Sequence, residues 1–403
     1  MEIFLSHNNT IIVYTEYRGF SRQETTVFPQ LPLCFSQEGK KVKQYRVGIL
    51  GATGMVGQRF VTLLAHHPWF SLCAVAASKR SAGKPYYEAV ENRWAMDAPI
   101  PDSARDLIVM DVRTDMELIA NSVDFVFCAL DMGKDEIKAL EEAYAMLECP
   151  VVSNNSAHRW TEDVPMVIPE INSEHLNLIH AQRKRLGTKR GFIVVKSNCS
   201  LQSYVPALHP LRKYGLERVL VCTYQAISGA GKTFSTWPEM HDNCIPYING
   251  EEGKSEREPL KIWGTLHDGR IAPALTPGIT AQCIRVPCSD GHLAACFMKF
   301  TDGCAPELKT IRREWETFTS PIDSLSLPSA PKKLLTYFEE NDRPQTRTDR
   351  TLENGMGISI GRLRPDTQYD YKFVCLSHNT LRGAAGGAIL LAELLCAGGY
   401  LIS

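Results

Sequence analysis

Three glycines, Gly51, Gly54 and Gly57, lie between a strand-like segment and a helix-like segment, and they constrain the fold more than any other feature. The apolar run Tyr45–Leu50 precedes them, and Gln58–His67 follows with apolar residues at helical spacing. Glycines at such a junction permit a tight turn and let backbone N–H groups approach a pyrophosphate. The spacing departs from Gly-x-Gly-x-x-Gly, so the strand and helix on either side carry the interpretation. We predict a dinucleotide site formed by Gly51, Thr53, Gly54, Met55, Val56 and Gly57.

The rest of the first half continues the alternation of strands and helices. Further strands are predicted at Leu72–Ala77, Leu107–Met110, Phe125–Leu130, Val151–Ser153 and Gly191–Lys196, with a helix at Lys134–Leu147. Such alternation is typical of a parallel sheet with helices on both faces. We therefore predict an α/β chain whose residues 44–198 form a Rossmann-like dinucleotide-binding domain.

The pattern changes after Cys199. A helix predicted from about Leu201 to Tyr214 is followed by alternating segments at Arg218–Ala226, Gln282–Val286, Leu293–Phe300, Ile358–Leu363 and Tyr369–Cys375. These segments predict an α+β domain over residues 199–379 with a mixed, mostly antiparallel sheet. Residues 320–350 contain four prolines among apolar residues, which indicates an ordered excursion rather than a linker. A small-residue amphipathic helix is predicted at Gly386–Ala397, and residues 1–43 are expected to be a variable or disordered extension.

Composition excludes several classes of partner. The formal net charge of −1 gives no electrostatic basis for binding nucleic acid or an anionic membrane. No apolar run approaches the roughly 20 residues that span a bilayer, and the first residues lack the basic start of a secretory signal. The 13 cysteines show neither metal-binding nor disulfide spacing, which favours a reducing compartment, the cytoplasm, and no metal site. We expect most of them to be inert core residues, among them Cys73, Cys128, Cys222 and Cys375.

The segment after the second strand indicates which dinucleotide is bound. An NAD site places an acidic residue there to hold the ribose hydroxyls. This segment instead reads Ala77-Ser78-Lys79-Arg80-Ser81. Hydroxyl and cationic side chains suit a 2′-phosphate, so we predict NADP with Ser78, Arg80 and Ser81 among its ligands. The alternative interpretation is a solvated basic loop.

Cys199 lies just after a strand-like run and just before a helix. A helix N-terminus lowers the pKa of a thiol and so favours the nucleophilic thiolate. A cysteine in this position is more often structural, so partners elsewhere decide. Gln225 can orient a carbonyl group, Arg285 can bind a carboxylate with two hydrogen bonds, and His292 can act as an acid–base group. A nicotinamide and a reactive cysteine together indicate oxidation or reduction of an aldehyde through a thioester.

The ordered set of motifs resembles aspartate-β-semialdehyde dehydrogenases, especially their archaeal and fungal branch. The matching stretches are residues 51–57, 153–159, 165–172, 197–200, 225–231, 242–254, 285–292 and 327–350, and the resemblance covers roughly residues 44–403. It implies that a C-terminal helix within residues 380–403 completes the Rossmann-like domain. It also implies that the second domain serves catalysis and dimerisation, in a homodimer or homotetramer.

The implied reaction is the NADPH-dependent conversion of L-aspartyl-4-phosphate to aspartate semialdehyde, with release of inorganic phosphate. The product is an intermediate for methionine, threonine and, in some organisms, lysine. By resemblance, the catalytic residues are Cys199 as nucleophile, His292 as acid–base group and Gln225 as the residue that orients the acyl group. The implied substrate ligands are Arg285 for the carboxylate, Glu251 for the ammonium, and Arg159, Lys254 and Asn198 for the phosphate. Ser228, Gly229 and Asn379 are expected near the nicotinamide.

Alternatives remain open for one residue and for the function. Glu252 is adjacent to Glu251 and is an alternative ligand for the ammonium group. An acyl-CoA reductase of the malonyl-CoA reductase type would share the glycine turn, the thiol and the imidazole, but it needs no ammonium ligand. A non-catalytic NADP-binding protein would need none of the predicted catalytic residues.

Overall fold

The computed structural model describes residues 3–5, 11–13 and 44–401. Strands β1 (Ile3–Leu5) and β2 (Ile11–Val13) pair in antiparallel orientation. Apart from this pair, the extension predicted over residues 1–43 lies outside the described residues. Within the described part of the chain, no helix is long and apolar enough to cross a membrane.

The first half alternates strands with helices and forms a parallel sheet, as predicted. Its elements are β3 (Tyr45–Leu50), α1 (Met55–Leu64), β4 (Phe70–Ala77), α2 (Tyr86–Val90), α3 (Asp102–Arg105), β5 (Met110–Asp111), α4 (Met116–Ser122), β6 (Phe125–Cys128), α5 (Lys134–Met146), β7 (Val151–Ser153), β8 (Met166–Val167), α6 (Pro169–Asn172), a 3₁₀ helix (Ser173–Asn177), α7 (Leu178–Leu186) and β9 (Ile193–Lys196). The sheet has seven strands in the order β5-β4-β3-β6-β7-β9-β8. All neighbouring strands are parallel, so the carboxyl ends of β3 and β9 open onto the same edge.

The second half forms a mixed sheet backed by helices. Its elements are α8 (Leu201–Leu208), a 3₁₀ helix (His209–Tyr214), β10 (Leu216–Gln225), α9 (Glu251–Ile262), β11 (Thr265–His267), β12 (Arg270–Ala272), β13 (Gly278–Arg285), β14 (His292–Phe300), α10 (Leu308–Glu316), β15 (Leu335–Phe338), α11 (Thr346–Asp349), β16 (Ile358–Pro365) and β17 (Tyr371–Ser377). Six strands follow the order β13-β10-β14-β17-β16-β15, and β11 pairs only with β12. Three neighbouring pairs in the six-stranded sheet are antiparallel and two are parallel, which confirms the predicted mixed, mostly antiparallel sheet.

Strand register in the mixed sheet gathers predicted site residues at one edge. Gln225, the last residue of β10, pairs with Arg285, the last residue of the parallel strand β13. His292, the first residue of the antiparallel strand β14, lies opposite Ser377 at the end of β17. Because these strand ends coincide, the three predicted site residues share one edge of the sheet.

The chain ends in α12 (Gly386–Ala397), which follows a π-helical turn over Leu381–Ala385. The prediction of an amphipathic helix is wrong, because every residue from Gly386 to Leu395 is buried. The helix packs in the same apolar core as residues of the parallel sheet such as Val194. Its one charged side chain, Glu393, accepts a hydrogen bond from Ser329 and pairs with His67 at 2.8 Å. The helix is therefore covered on all sides and has no polar face.

Proline and local pairing explain two further differences from the sequence-based predictions. The helix predicted from Leu201 to Tyr214 breaks into an α-helix and a 3₁₀ helix around Pro210, which lacks a backbone donor. The strand predicted at Leu107–Met110 shrinks to β5, because Ile108 forms an isolated bridge with Pro85 instead of joining the sheet.

The cysteine predictions were right for two of the four named residues. Cys128 and Cys375 are buried, whereas Cys73 is exposed and Cys222 is only half-buried. The difference follows from strand alternation, which turns every second side chain away from the core. The excursion over residues 320–350 is ordered, as predicted, and it buries Ile322, Leu327, Leu334 and Leu335.

We expect Leu391→Ala to lower the free energy of unfolding by about 2–5 kcal/mol, because it leaves a cavity in the apolar core. Leu391 is fully buried in α12, whereas Leu118 is 63% exposed. Leu118→Ala is the matched control and should change stability by less than about 0.5 kcal/mol. Urea unfolding followed by fluorescence measures both. Equal effects of the two substitutions would contradict the packing of α12 described above.

Candidate active site

The glycine turn joins β3 to α1 at the carboxyl edge of the parallel sheet. Gly51 has a φ of +90°, and a Cβ at this position would lie 2.4 Å from the carbonyl oxygen of Ala129. A Cβ on Gly57 would lie 2.2 Å from the carbonyl oxygen of Gly51, so both positions exclude larger residues. Gly54 is exposed and begins α1 without a side-chain cap, and Thr53, Met55 and Val56 are partly exposed around it. The first N–H groups of α1 can therefore bind an anion, and the turn fits a pyrophosphate.

The loop after β4 borders a cationic cavity. Ser78 and Arg80 are exposed, whereas Ser81 is buried and its Oγ accepts a hydrogen bond from Arg93 Nη2 at 3.0 Å. A cavity of about 260 Å³ is lined by Arg80, Ser81, Lys84, Glu88, Ala89, Asn92 and Arg93. Three cations against one carboxylate suit a phosphate group, which favours the NADP prediction over a merely solvated loop. Sequence reasoning missed Arg93, because it lies twelve positions after Ser81 on a separate turn.

Asn198 fixes the loop that carries Cys199. Its backbone N–H donates to Glu258 Oε2 at 2.7 Å, and its Nδ2 donates to Glu251 Oε2 at 2.9 Å and Oε1 at 3.0 Å. Its Oδ1 accepts a hydrogen bond from the backbone N–H of Ser200 at 2.8 Å. Every polar group on the Asn198 side chain is therefore engaged, and the half-buried Cys199 follows an anchored residue.

Glu251 is a buried carboxylate shared by several predicted site residues. Besides Asn198, it accepts hydrogen bonds from Lys254 Nζ at 2.5 Å and from Gln225 Nε2 at 3.3 Å. Burial alone would raise the pKa of Glu251, but Lys254 and the two amide donors lower it below the ordinary value. Glu251 therefore stays ionised. Glu252 points elsewhere and accepts a hydrogen bond from Gln282 at 2.9 Å, so the geometry favours Glu251 over its neighbour.

Arg159 is buried and held by Glu258. Its Nη1 lies 2.9 Å from Glu258 Oε1, while Nε and Nη2 donate to the carbonyl oxygens of Lys196 and Asn154. Glu258 therefore bonds both to this arginine and to the backbone of the loop that carries Cys199. Sequence reasoning missed Glu258, although the signal was present: it lies seven residues after Glu251, on the same face of a helix.

His292 and Arg285 are organised by the backbone of one residue. The N–H of Ala226 donates to His292 Nδ1 at 3.1 Å, and its carbonyl oxygen accepts from Arg285 Nη1 at 2.7 Å. Because a backbone N–H can only donate, the neutral imidazole carries its proton on Nε2, which is buried and has no hydrogen-bond partner. Burial and then the charge of Arg285 lower the pKa of His292 to about 3. The ring is thus neutral at physiological pH and can donate from Nε2.

Small and amide side chains complete this edge of the sheet. A Cβ on the exposed Gly229 would lie 2.8 Å from Arg285 Nη1 and 3.0 Å from His292 Nε2. Asn379 Oδ1 accepts from the N–H of Gly291, and its Nδ2 donates to Ser228 Oγ, both at 2.8 Å. The glycine leaves space beside the imidazole and the guanidinium that a Cβ would fill, and Asn379 ties the end of β17 to the loop after β10.

The charges around Cys199 set its pKa. Burial raises the pKa of the thiol, and Glu251 raises it further, whereas Lys196, Arg159 and Arg285 lower it. The net direction is upward, so the prediction of a pKa lowered by the helix N-terminus is wrong. Burial together with Glu251 outweighs the three cations. Within the described residues, no cluster of His, Cys, Asp and Glu has the arrangement of a metal site.

Comparisons with known proteins show the family of this chain. A model described as semialdehyde dehydrogenase, NAD binding domain, matches residues 46–179, and one described as semialdehyde dehydrogenase, dimerisation domain, matches residues 208–382. The aspartate-semialdehyde dehydrogenase of Archaeoglobus fulgidus is 43% identical over 352 residues, 87% of this chain and 98% of the relative. The chain belongs to the aspartate-semialdehyde dehydrogenase family.

Other members of the aspartate-semialdehyde dehydrogenase family give the same result. The Saccharomyces cerevisiae enzyme is 41% identical over 373 residues, 89% of this chain and 98% of its own length. A crystal structure of the Candida albicans enzyme with NADP superposes with a TM-score of 0.79 at 36% identity, covering 89% of this chain and all of that one. The predicted family and fold class are confirmed. Neither an acyl-CoA reductase nor a non-catalytic protein finds support among these relatives.

We expect Glu258→Gln to lower kcat/KM for aspartate semialdehyde roughly tenfold or more, because charged hydrogen bonds contribute about 1.5–3 kcal/mol each. The substitution weakens the contacts to Arg159 and to the backbone of Asn198 together. Glu256→Gln is the matched control, since Glu256 lies on the same helix and, among the described residues, accepts a single hydrogen bond, from the N–H of Ala281 at 3.2 Å. Steady-state kinetics that change equally in both variants would contradict the role assigned to Glu258.

Proposed function

We propose that this protein converts L-aspartyl-4-phosphate to L-aspartate 4-semialdehyde with NADPH, through a thioester on Cys199. The observation that carries the proposal is the position of Asn198, which is bonded to Glu251 and to Glu258. Glu251 is the proposed ligand of the substrate's ammonium group. Glu258 holds Arg159, the proposed ligand of the phosphate. Asn198 therefore connects the ammonium side of the site to the phosphate side, and Cys199 is the next residue.

The charges of the site complement the charges of the proposed substrate. We assign the carboxylate of the substrate to Arg285 and its ammonium group to Glu251, which stays ionised. We assign the phosphate to Arg159 and Lys254, with Asn198 beside them. An acyl-CoA substrate of the malonyl-CoA type has no ammonium group for Glu251 to bind, which supports the aspartyl assignment.

The chemistry begins with the thiolate of Cys199. It attacks the acyl carbon, a C–S bond forms, and the C–O bond to phosphate breaks as Arg159 and Lys254 stabilise the leaving anion. Bound NADPH supplies the hydride that reduces the thioester. His292 donates a hydrogen bond from Nε2 to the oxygen that gains negative charge, and Gln225 orients that oxygen. The C–S bond then breaks, which releases the aldehyde and restores the thiolate.

The cofactor assignment to this chain is NADP. The glycine turn at Gly51–Gly57 would bind the pyrophosphate, and the cationic cavity beside Arg80 would bind the 2′-phosphate. Ser228, Gly229 and Asn379 would contact the nicotinamide end. The structure of the Candida albicans relative with NADP supports the assignment.

Assembly, compartment and domain boundaries complete the proposal. The match to a dimerisation domain supports an oligomer, and we propose a homodimer or homotetramer. None of the twelve described cysteines forms a disulfide, which supports the cytoplasm as the compartment. We assign residues 44–198 and 380–403 to the NADP-binding domain and residues 199–379 to the catalytic and dimerisation domain. The core shared by α12 and the parallel sheet supports this division.

The direct test of the function is NADP reduction with aspartate semialdehyde, with and without inorganic phosphate. We expect phosphate-dependent NADPH formation, and Cys199→Ala should lower it by roughly a thousandfold or more while NADP binding persists. Cys288→Ala is the control, because this half-buried cysteine lies 3.7 Å from Thr346 Oγ1 and has no assigned role in the reaction. Turnover that ignores phosphate, or that survives in Cys199→Ala, would refute the proposal.

We expect Arg80→Ala to weaken NADP binding roughly tenfold and to leave NAD binding unchanged, because only NADP carries the 2′-phosphate. Arg105→Ala is the control: Arg105 is exposed nearby and stacks on Tyr87 but does not line the cavity. Titration of each variant with both dinucleotides measures the difference. An equal loss of affinity for NADP and for NAD would contradict the assignment of the 2′-phosphate to the cavity beside Arg80.

A further inference from the structure

Lys196 is a buried lysine whose ammonium group has no hydrogen-bond partner. The residue is 2% exposed, and Nζ is buried and has no hydrogen-bond partner among the described residues. An unpaired cation in a protein core opposes folding, because its charge loses hydration without compensation. The fold needs only an apolar side chain here, as at Val194 two residues earlier. The steps proposed above assign Lys196 no part.

The C-terminal helical segment brings Lys196 and Cys199 to one surface. Alternation along β9 places Lys196 on the face of the sheet that also carries Val194 and that α12 covers. A Cβ on Gly387 would lie 2.3 Å from Lys196 Cε and 3.3 Å from Nζ, and a Cβ on Gly383 would lie 2.9 Å from Cys199 Cβ. Gly383 lies in the π-helical turn, and Gly387 lies at the start of α12, further along the same helical segment. The ammonium and the thiol therefore pack against the same helical segment.

The other charged groups around Lys196 already have partners. Arg382 pairs with Glu170 through two hydrogen bonds of 2.8 and 3.0 Å. Arg159 pairs with Glu258. Burial and then the charge of Arg382 lower the pKa of Lys196 to about 7, while the Cys199 anion and Glu170 raise it. Among these groups, the thiolate of Cys199 is the one anion left to balance Lys196.

We propose that the ammonium group of Lys196 stabilises the thiolate of Cys199 and so prepares the nucleophile for attack. Sγ loses its proton to solvent, and the positive charge already present on Nζ then balances the thiolate, so the pair carries no net charge. His292 does not replace this function, because its Nε2 already carries a proton and its Nδ1 is engaged with Ala226. Lys196 acts through Cys199 and is a positioning residue rather than a catalytic one. The inference rests on the proposed role of Cys199 as nucleophile.

The test is the pH dependence of Cys199 alkylation by iodoacetamide, quantified by mass spectrometry of the peptide in the full-length protein. In Lys196→Met we expect the apparent pKa of the thiol to rise by about one unit, so that alkylation at neutral pH slows about tenfold. Lys261→Met is the matched control: this second buried lysine donates to carbonyl oxygens, Arg159 at 2.6 Å and Val164 at 3.1 Å. It should unfold at a lower temperature and leave the alkylation profile unchanged.

Stability separates a functional lysine from a structural one. We expect Lys196→Met, and Lys196→Leu as a second variant, to unfold at or above the wild-type temperature, because both remove a buried unpaired charge. An unchanged alkylation profile in these variants would overturn the proposal, and so would a lower unfolding temperature in both. If turnover requires Cys199 but the alkylation profile of the Lys196 variants is unchanged, the inference about Lys196 fails and the proposed function stands. Full turnover in Cys199→Ala would remove the nucleophile and the inference together.

Discussion

The active site depends on two carboxylates of one helix that hold a single asparagine. Glu251 and Glu258 lie two turns apart on α9, and both bond to Asn198, one through its side chain and the other through its backbone. Asn198 belongs to the loop after the parallel sheet, and α9 belongs to the part of the chain that forms the mixed sheet. This contact therefore joins the dinucleotide side of the molecule to the substrate side. The position of Cys199, the next residue, follows from it.

Burial sets the protonation states of the site and keeps both the thiol of Cys199 and the imidazole of His292 uncharged. The pKa of the Cys199 thiol is raised and that of His292 is lowered to about 3, in both cases chiefly because burial disfavours the charged form. Neither group is poised on its own for proton transfer near neutral pH. The surrounding cations favour the thiolate. Arg159 pairs with Glu258, whereas Lys196 and Arg285 have no carboxylate partner within the described part of the chain, and Arg285 is assigned to the substrate carboxylate. We therefore attribute stabilisation of the thiolate to the neighbouring cations rather than to the dipole of a helix.

The sequence predicted those parts of the site that depend on local backbone structure. The turn at Gly51–Gly57 follows from steric limits that any reader of the sequence can apply, and Gln225 and Arg285 end neighbouring strands. Residues that act through tertiary contacts were harder to find. Glu258, Arg93 and Lys196 look like ordinary charged residues until the fold brings them to their partners. The C-terminal helix was misjudged for the same reason, because its burial comes from the sheet and the excursion over residues 320–350 rather than from its own pattern.

The proposed thioester on Cys199 is tested most directly by identifying the residue that becomes acylated. The protein is incubated with aspartate semialdehyde and NADP in the absence of phosphate, quenched in acid and digested for peptide mapping by mass spectrometry. We expect a covalent aspartyl group on the sulfur of Cys199, which disappears when phosphate is added before quenching. An aspartyl group on another side chain, or NADPH formation without any covalent adduct, would contradict it.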